Sequence, residues 1–140
     1  MNNQNNPSIL SELKMDHIVF DNLSFIRKGF KPETEAEAKL ELGVSVGKIR
    51  DGQYRVSLNV SVDQKDEYNA EVQISGFCSI QEDFPIKQEI LEKNVVAILF
   101  PYVRAQLTLL TSQPETTPLL LPAINIDALI NQASEQVNQE

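Results

Sequence analysis

The chain offers few side chains that could carry out catalysis. Its single histidine, His17, stands beside Asp16, and its single cysteine, Cys78, lies in a different predicted strand. A cysteine nucleophile needs a base within hydrogen-bonding distance and a third group that orients this base. Adjacent residues of a strand point to opposite faces, and nothing in the sequence brings His17 to Cys78. We therefore expect Cys78 to be a small buried apolar residue, and the chain not to be an enzyme.

Metal and phosphate sites are equally unsupported by the sequence. One cysteine and one histidine cannot form a structural zinc site, and no acidic residues have the spacing of a calcium-binding loop. The five glycines are not clustered, so no phosphate-binding loop is predicted. The acidic neighbours Glu82-Asp83 and Asp66-Glu67 are interpreted as solvated side chains. No metal and no cofactor is predicted.

Composition narrows the class of protein further. The chain has 140 residues, of which 41% are hydrophobic, and 20 acidic residues against 12 basic ones give a net charge of −8. This charge argues against nucleic acid and anionic membranes as partners. The N-terminus lacks the features of a signal peptide, and we expect no membrane insertion. A single cysteine fits a reducing compartment, so a cytoplasmic protein is predicted.

Periodicity predicts the elements that would position any site. Residues 1–15 are expected to be a disordered N-terminal segment, followed by a single domain over residues 16–137. A first strand over residues 16–26 changes phase near Asp21-Asn22, which predicts a bulge. Strict alternation over residues 36–46, 53–63 and 67–80 predicts three more strands, paired antiparallel, with one apolar and one polar face. Phe77 falls on the polar phase, so either a bulge at Gly76 turns it inward or it is an exposed contact.

After Pro85 the pattern becomes helical. This helix is apolar nearly all round, so it must be covered on more than one side, either by a last helix or, as we favour, by a second subunit. Pro101 predicts a kink or a helix start within it. A proline-rich crossover follows at residues 113–122, and Asn125 is a suitable N-cap for a short C-terminal helix. The predicted fold is α+β: a four-stranded antiparallel sheet, a long helix, a crossover loop and a short helix.

Several of these segments resemble one known family. The LFPY string at residues 99–102, the proline-rich crossover and the ending with Pro122, Asn125, Asp127, Ala128 and Leu129 are similar to the C-terminal half of SecB, the export chaperone. KLEL at residues 39–42, YRVSLNVSV at residues 54–62 and the segment at residues 71–80 extend the resemblance over residues 18–130.

The resemblance implies a protein without enzymatic activity. SecB-like proteins are ATP-independent holdases that bind unfolded preproteins or other non-native clients, and they form homotetramers, dimers of dimers, with the long helices at the interfaces. It implies an interface at Val95, Leu99 and Val103. It also implies a client groove bordered by Leu40, Leu42, Phe77, Tyr102, Leu119, Leu120 and Leu121.

The family's contact with the motor SecA is only partly matched. One acidic residue of that contact corresponds to Glu71, whereas two others fall on Asn22 and Ile26, and the acidic tail is reduced. Two alternatives to general export therefore stay open, both without SecA coupling. The protein would be dedicated to one partner, such as an antitoxin, or it would bind a small apolar ligand.

Overall fold

Four long strands and one long helix make up the part of the chain that the structure, a computed structural model, describes: residues 12–34 and 37–121. The strands are β1 (Lys14–Arg27), β2 (Ala38–Arg50), β3 (Gln53–Gln64) and β4 (Tyr68–Ser79), and helix α1 follows over Lys87–Thr111. They form one antiparallel sheet in the order β1-β4-β3-β2. This confirms the predicted sheet and long helix. The C-terminal helix predicted from Asn125 lies outside the described residues.

The sheet has an apolar inner face, which α1 covers, and a polar outer face, as the alternation predicts. Leu58 on β3 lies opposite Ile74 on β4, and both are fully buried on the inner face. On the outer face, Asn59 lies opposite Gln73, and both are only partly buried. Gly52 in the turn between β2 and β3 has φ +80°, a conformation that suits glycine.

Strand β1 begins earlier than predicted and carries the predicted bulge. The sequence predicts disorder through residue 15, yet Leu13 is buried and Met15 packs against the core. The burial of these two apolar side chains offsets the entropy lost when the segment is ordered. The register with β4 shifts between Phe20 and Asn22, which confirms the bulge, and shifts again between Met15 and His17. Residues 1–11 lie outside the described part of the chain.

Helix α1 contains one wide turn near its start. It begins at Lys87–Glu89, forms a π-helical turn at Ile90–Asn94 and continues as an α-helix over Val95–Thr111. The N–H of Val95 donates to the carbonyl of Ile90. Residues five apart do not share a face of an α-helix, but this wide turn places Ile90 and Val95 on the same buried side.

The helix passes through Pro101 without interruption. Of the two predicted alternatives, a helix start at this proline is therefore wrong. Pro101 has no N–H for the carbonyl of Ala97, and both residues are exposed, so water can satisfy that carbonyl.

The buried side of α1 lies on the centre of the sheet. A Cβ on Gly76 of β4 would stand 3.3 Å from a methyl of Leu99 and 3.4 Å from one of Val95, so the glycine permits the close approach. Val95, Leu99 and Val103, which the sequence assigns to a subunit interface, are all 0% exposed within their own chain. They offer no surface to a second subunit here. Assembly through α1 stays a prediction, and it must use the other side of the helix.

By length and composition alone, α1 could also cross a membrane. Its apolar side is buried against the sheet, which is the usual arrangement of a core helix in a soluble protein, so this property has little weight.

Candidate functional site

Helix α1 leaves the β2 side of the inner face partly uncovered. Leu40 is 48% exposed there, and Leu42, Val44 and Val46 are only partly buried against the core. We call these four residues the β2 flank. Strand β2 is an edge of the sheet, so no described strand shields this side. A partly exposed aliphatic row beside an open edge is a surface on which an apolar segment of another chain can be buried.

A second apolar area, the β1 flank, lies on the other side of α1 and consists of Phe20, Leu23 and Tyr102. The rings of Phe20 and Tyr102 meet edge to face, with centroids 6.5 Å apart. Tyr102 remains 46% exposed, and Leu23 is 42% exposed. The inner face therefore presents apolar surface on both sides of the helix.

The crossover segment after α1 is held first by Arg27 at the end of β1. The Arg27 guanidinium donates to the carbonyl oxygens of Pro114, at 3.2 Å, and Glu115, at 3.0 Å, and to the Thr116 hydroxyl. Its carbon lies 5.6 Å from the centroid of the Phe25 ring, over which the guanidinium stacks. One side chain of β1 therefore fixes three consecutive residues of the crossover.

The next residues of the crossover are held by the β3–β4 turn and by the end of α1. The Thr117 N–H donates to the Glu67 carboxylate at 2.5 Å, and its carbonyl accepts from the Tyr68 hydroxyl at 3.0 Å. Two residues on, the Leu119 N–H donates to the Thr111 hydroxyl at 2.9 Å. We call Arg27, Glu67, Tyr68 and Thr111 together the clasp.

Glu67 is the unusual member of the clasp, because it is 0% exposed. The prediction that it is a solvated acid is wrong. Its carbonyl accepts the N–H groups of Lys28, at 2.8 Å, and Gly29, at 3.1 Å, and these bonds hold the turn against the end of β1. Among the described residues, Oε1 of its carboxylate has no hydrogen-bond partner. Burial, reinforced by the nearby Glu67 charge, raises the pKa of Tyr68 to about 12.

The clasp ends where the apolar part of the crossover begins. Leu119 and Leu121 are partly buried against the core, whereas Leu120 is 72% exposed. Within the described part of the chain, no hydrogen bond holds Leu120 or Leu121. The anchored residues before them and the packing of Leu121 against the core therefore set their position.

The predicted groove residues do not all lie on one surface. Leu40 and Leu42 lie on the β2 flank, Tyr102 lies on the β1 flank, and residues 119–121 follow the clasp. Phe77 lies on the opposite, outer face. The pairing of β3 with β4 is regular there, with Phe77 opposite Arg55, so no bulge in β4 turns Phe77 inward. The Arg55 guanidinium carbon lies 5.2 Å from the centroid of its ring.

Glu71, the predicted docking residue, is also on the outer face. Its carboxylate accepts from the Asn22 amide at 2.8 Å, from the Ser61 hydroxyl at 3.2 Å and from the Gln73 amide at 3.4 Å. It lines an open depression of about 430 Å³, together with Ile26. Ile26 is 63% exposed, so an apolar side chain and a fully hydrogen-bonded carboxylate occupy this surface.

A second charged cluster lies at the opposite end of the sheet from the clasp, around Glu82. Its carboxylate contacts the ammonium groups of Lys48 at 2.6 Å and Lys87 at 3.4 Å, and accepts from the Gly52 N–H at 2.9 Å and the Tyr54 hydroxyl. Hydrogen bonds from Lys48, from Tyr54 and from the Gly52 backbone lower the pKa of Glu82 to about 2. This network connects the β2–β3 turn to the segment that leads into α1.

The groups that could do chemistry are kept apart. His17 lies opposite Phe77 on the outer face, while Cys78 is buried on the inner face. Burial, with a smaller effect of Asp16, raises the pKa of the Cys78 thiol to about 11. Within residues 12–34 and 37–121, no three His, Cys, Asp or Glu side chains are close enough to hold a metal ion.

The sequence did not identify Arg27 and Glu67 as important residues. Arg27-Lys28 is a basic pair at a strand end, which usually indicates a solvated surface. Glu67 follows Asp66 in a turn, which predicts the same. Only the approach of the crossover, 50 positions from Glu67 and 87 to 89 positions from Arg27, gives them their role.

The chain matches one known family over nearly its whole length. The profile of the family described as preprotein translocase subunit SecB matches residues 4–137. The protein-export protein SecB of Marinobacter nauticus is 29% identical over 147 residues, covering 99% of this chain and 87% of that protein. The SecB of Saccharophagus degradans is 35% identical over 102 residues, but the match spans only 61% of that protein.

A solved structure shares the fold. The Mycobacterium tuberculosis SecB-like chaperone, in complex with a ChAD peptide from the HigA1 antitoxin, superposes with a TM-score of 0.68. The match covers 83% of this chain and 93% of that one, at 13% identity.

Proposed function

This chain belongs to the SecB family, and we propose that it acts as an ATP-independent holdase that binds unfolded or non-native polypeptides. Members of the family are chaperones of protein export and not enzymes, so this membership confirms the prediction that the chain is not an enzyme. We propose that it acts in the cytoplasm, which is consistent with a single cysteine, Cys78, that is a free thiol.

The observation that supports a holdase is the incomplete cover of the inner face. Non-native chains expose apolar side chains, and a surface that binds many of them must be apolar and free of a fixed pattern of hydrogen-bond donors. The two flanks and Leu120 meet that requirement, since Leu40, Tyr102 and Leu120 are each about half exposed or more. We propose that clients bind there, at Leu40, Leu42, Tyr102 and residues 119–121, and not at Phe77.

The coupling of this chaperone to SecA rests on Glu71. The family's other two acidic positions are occupied by Asn22 and Ile26, and Asn22 uses its amide to bind Glu71. The predicted contact therefore has one carboxylate, and this carboxylate already accepts three internal hydrogen bonds. We propose that any SecA binding depends on Glu71. Loss of SecA binding in Glu71→Gln, with client binding unchanged, would support this; equal SecA binding by both proteins would contradict it.

We propose that the protein assembles as a homotetramer, a dimer of dimers, through the exposed side of α1. Ala97, Pro101, Ala105 and Leu109 recur every fourth residue on that side, and Leu109 is 65% exposed. Leu109→Asp should reduce the mass measured by light scattering without changing the circular dichroism of the fold.

The decisive experiment measures binding of a denatured protein and of the same protein in its native form. We expect the chain to bind only the denatured form, without ATP. Leu40→Asp on the β2 flank should weaken this binding, because it places a charge on the apolar surface. The matched control is Val19→Asp on the outer face, where Val19 is 41% exposed.

Two results would contradict the proposal. Equal binding of native and denatured protein would favour a scaffold or ligand-binding function. Equal losses for Leu40→Asp and Val19→Asp would mean that the inner face is not the client surface.

A further inference from the structure

The crossover segment is anchored far more completely than an exposed loop needs to be. Between residues 114 and 119, the clasp contacts three carbonyl oxygens, two N–H groups and one hydroxyl. The anchors come from β1, from the β3–β4 turn, from the first residue of β4 and from the end of α1. Ordering a loop in this way costs conformational entropy, which is offset only if the contacts are well satisfied.

The central contacts of the clasp are those with Thr117. Glu67 binds its N–H and Tyr68 binds its carbonyl, so two neighbouring buried residues hold both backbone polar groups of one residue. The Tyr68 ring also packs on Phe25, with centroids 5.0 Å apart. Glu67 forms no ion pair with any described residue, and its second oxygen is unpaired. Among the described residues, the one donor to the Glu67 carboxylate is therefore a backbone N–H of the crossover.

We propose that Glu67 and Arg27 are positioning residues of the client surface. They act through Thr117 and residues 114–116, and they fix where Leu119, Leu120 and Leu121 stand. This inference rests on the proposed holdase function and deepens it, because it assigns residues that touch no client to the control of client affinity.

The first arm of the test measures position without any client. Leu120→Cys carries a spin label at an exposed site, and the buried Cys78 does not compete for the reagent. Glu67→Ala should increase the mobility of the label, since the Thr117 N–H loses its acceptor. Glu67→Gln keeps an acceptor oxygen and should restore the original spectrum. An unchanged spectrum in Glu67→Ala would overturn the proposal.

The second arm measures client affinity in unlabelled protein. Glu67→Ala should raise the dissociation constant for a denatured client about fivefold, the effect of one hydrogen bond, and Glu67→Gln should recover most of it. A mobile label with unchanged affinity would overturn the proposal. If the unmutated protein binds no client, the proposed function fails, while the first arm still decides whether Glu67 positions the crossover.

Arginine variants give the matched control. Arg27 and Arg55 both use a planar guanidinium, both bind several acceptors and both stack on a phenylalanine, but Arg55 lies on the outer face. Lysine cannot reproduce the forked contacts of either. Arg27→Lys should release the label and weaken client binding, whereas Arg55→Lys should do neither. Equal effects of the two would indicate a general loss of stability and would overturn the proposal.

Discussion

The two ends of the sheet hold the segments before and after the long helix by different physical means. At the hairpin end, where the β2–β3 turn meets the start of α1, the Glu82 network uses charged groups that water can reach. At the crossover end, the clasp uses backbone groups, and its central residues Glu67 and Tyr68 are fully buried. In the exposed Glu82 network, solvent and salt screen the charges, and the carboxylate has several partners that can replace one another. In the buried part of the clasp, each polar group has one partner. Single substitutions should therefore matter more at the crossover end.

The largest effect is expected from Gly29→Ala at the crossover end. An added Cβ would stand 2.5 Å from the carbonyl oxygen of Asp66, a backbone atom in the turn that carries Glu67. We expect a loss of about 1–3 kcal/mol in the free energy of unfolding, measured by urea denaturation. Gly43→Ala on β2 is the control, because nothing lies within 4 Å of its added Cβ. Equal urea midpoints for Gly29→Ala and Gly43→Ala would mean that the β3–β4 turn can move to accommodate the added Cβ.

The same chemical change at each end makes the comparison sharper. Tyr68→Phe removes the bond to the Thr117 carbonyl, and Tyr54→Phe removes the bond that its hydroxyl donates to Glu82 and the one that it accepts from Lys87. We expect Tyr68→Phe to cost about 1–2 kcal/mol of unfolding free energy and Tyr54→Phe clearly less, because Lys48 and the Gly52 N–H still bind Glu82. A larger loss in Tyr54→Phe would reverse the ranking of the two ends.

Acid should act on the hairpin end first. The pKa of Glu82 is lowered from 4.5 to about 2 in the folded protein. Its stabilisation is therefore complete above pH 4.5, the value in the unfolded chain, and is lost as the pH falls to about 2. Glu82→Gln should reduce the loss of unfolding free energy between pH 4.5 and about 2. Salt at about 1 M should reduce the same loss in the unmutated protein. A profile identical in both proteins would show that the network contributes nothing.

The smallest effect is expected from chemical labelling of Cys78, the buried thiol near the hairpin end. Cys78 pairs with Tyr54 of β3, and burial raises its pKa to about 11 from 9.0. The reactive thiolate is then about a hundredfold rarer than for an ordinary thiol, before any steric protection. A maleimide should label Leu120→Cys within minutes and leave Cys78 unmodified until the protein unfolds. Rapid labelling of Cys78 would show that the hairpin end opens in the native state.

Local patterns were enough to predict the sheet but not the site. Alternation located β2, β3 and β4, and the phase change at Asp21 predicted the bulge, because side-chain period is a property of the strand itself. The side of α1 that meets the sheet was not predictable, because apolar residues occur all round the helix. In the structure, the buried side carries Val95, Leu99 and Val103. Glu67 was misjudged because only a contact with distant Thr117 separates it from a solvated turn acid.

The bulge in β1 has a consequence for the evolution of this chain. It inserts one extra residue at Asp21, after which Leu23 and Phe25 point inward and Arg27 reaches the crossover. Deleting Asp21 would remove the bulge and leave the later residues on their present faces, whereas deleting a residue beyond the bulge, from Leu23 onward, would turn every residue after it to the opposite face. A gene for this protein should therefore tolerate the loss of the Asp21 codon better than the loss of any codon between Leu23 and Arg27.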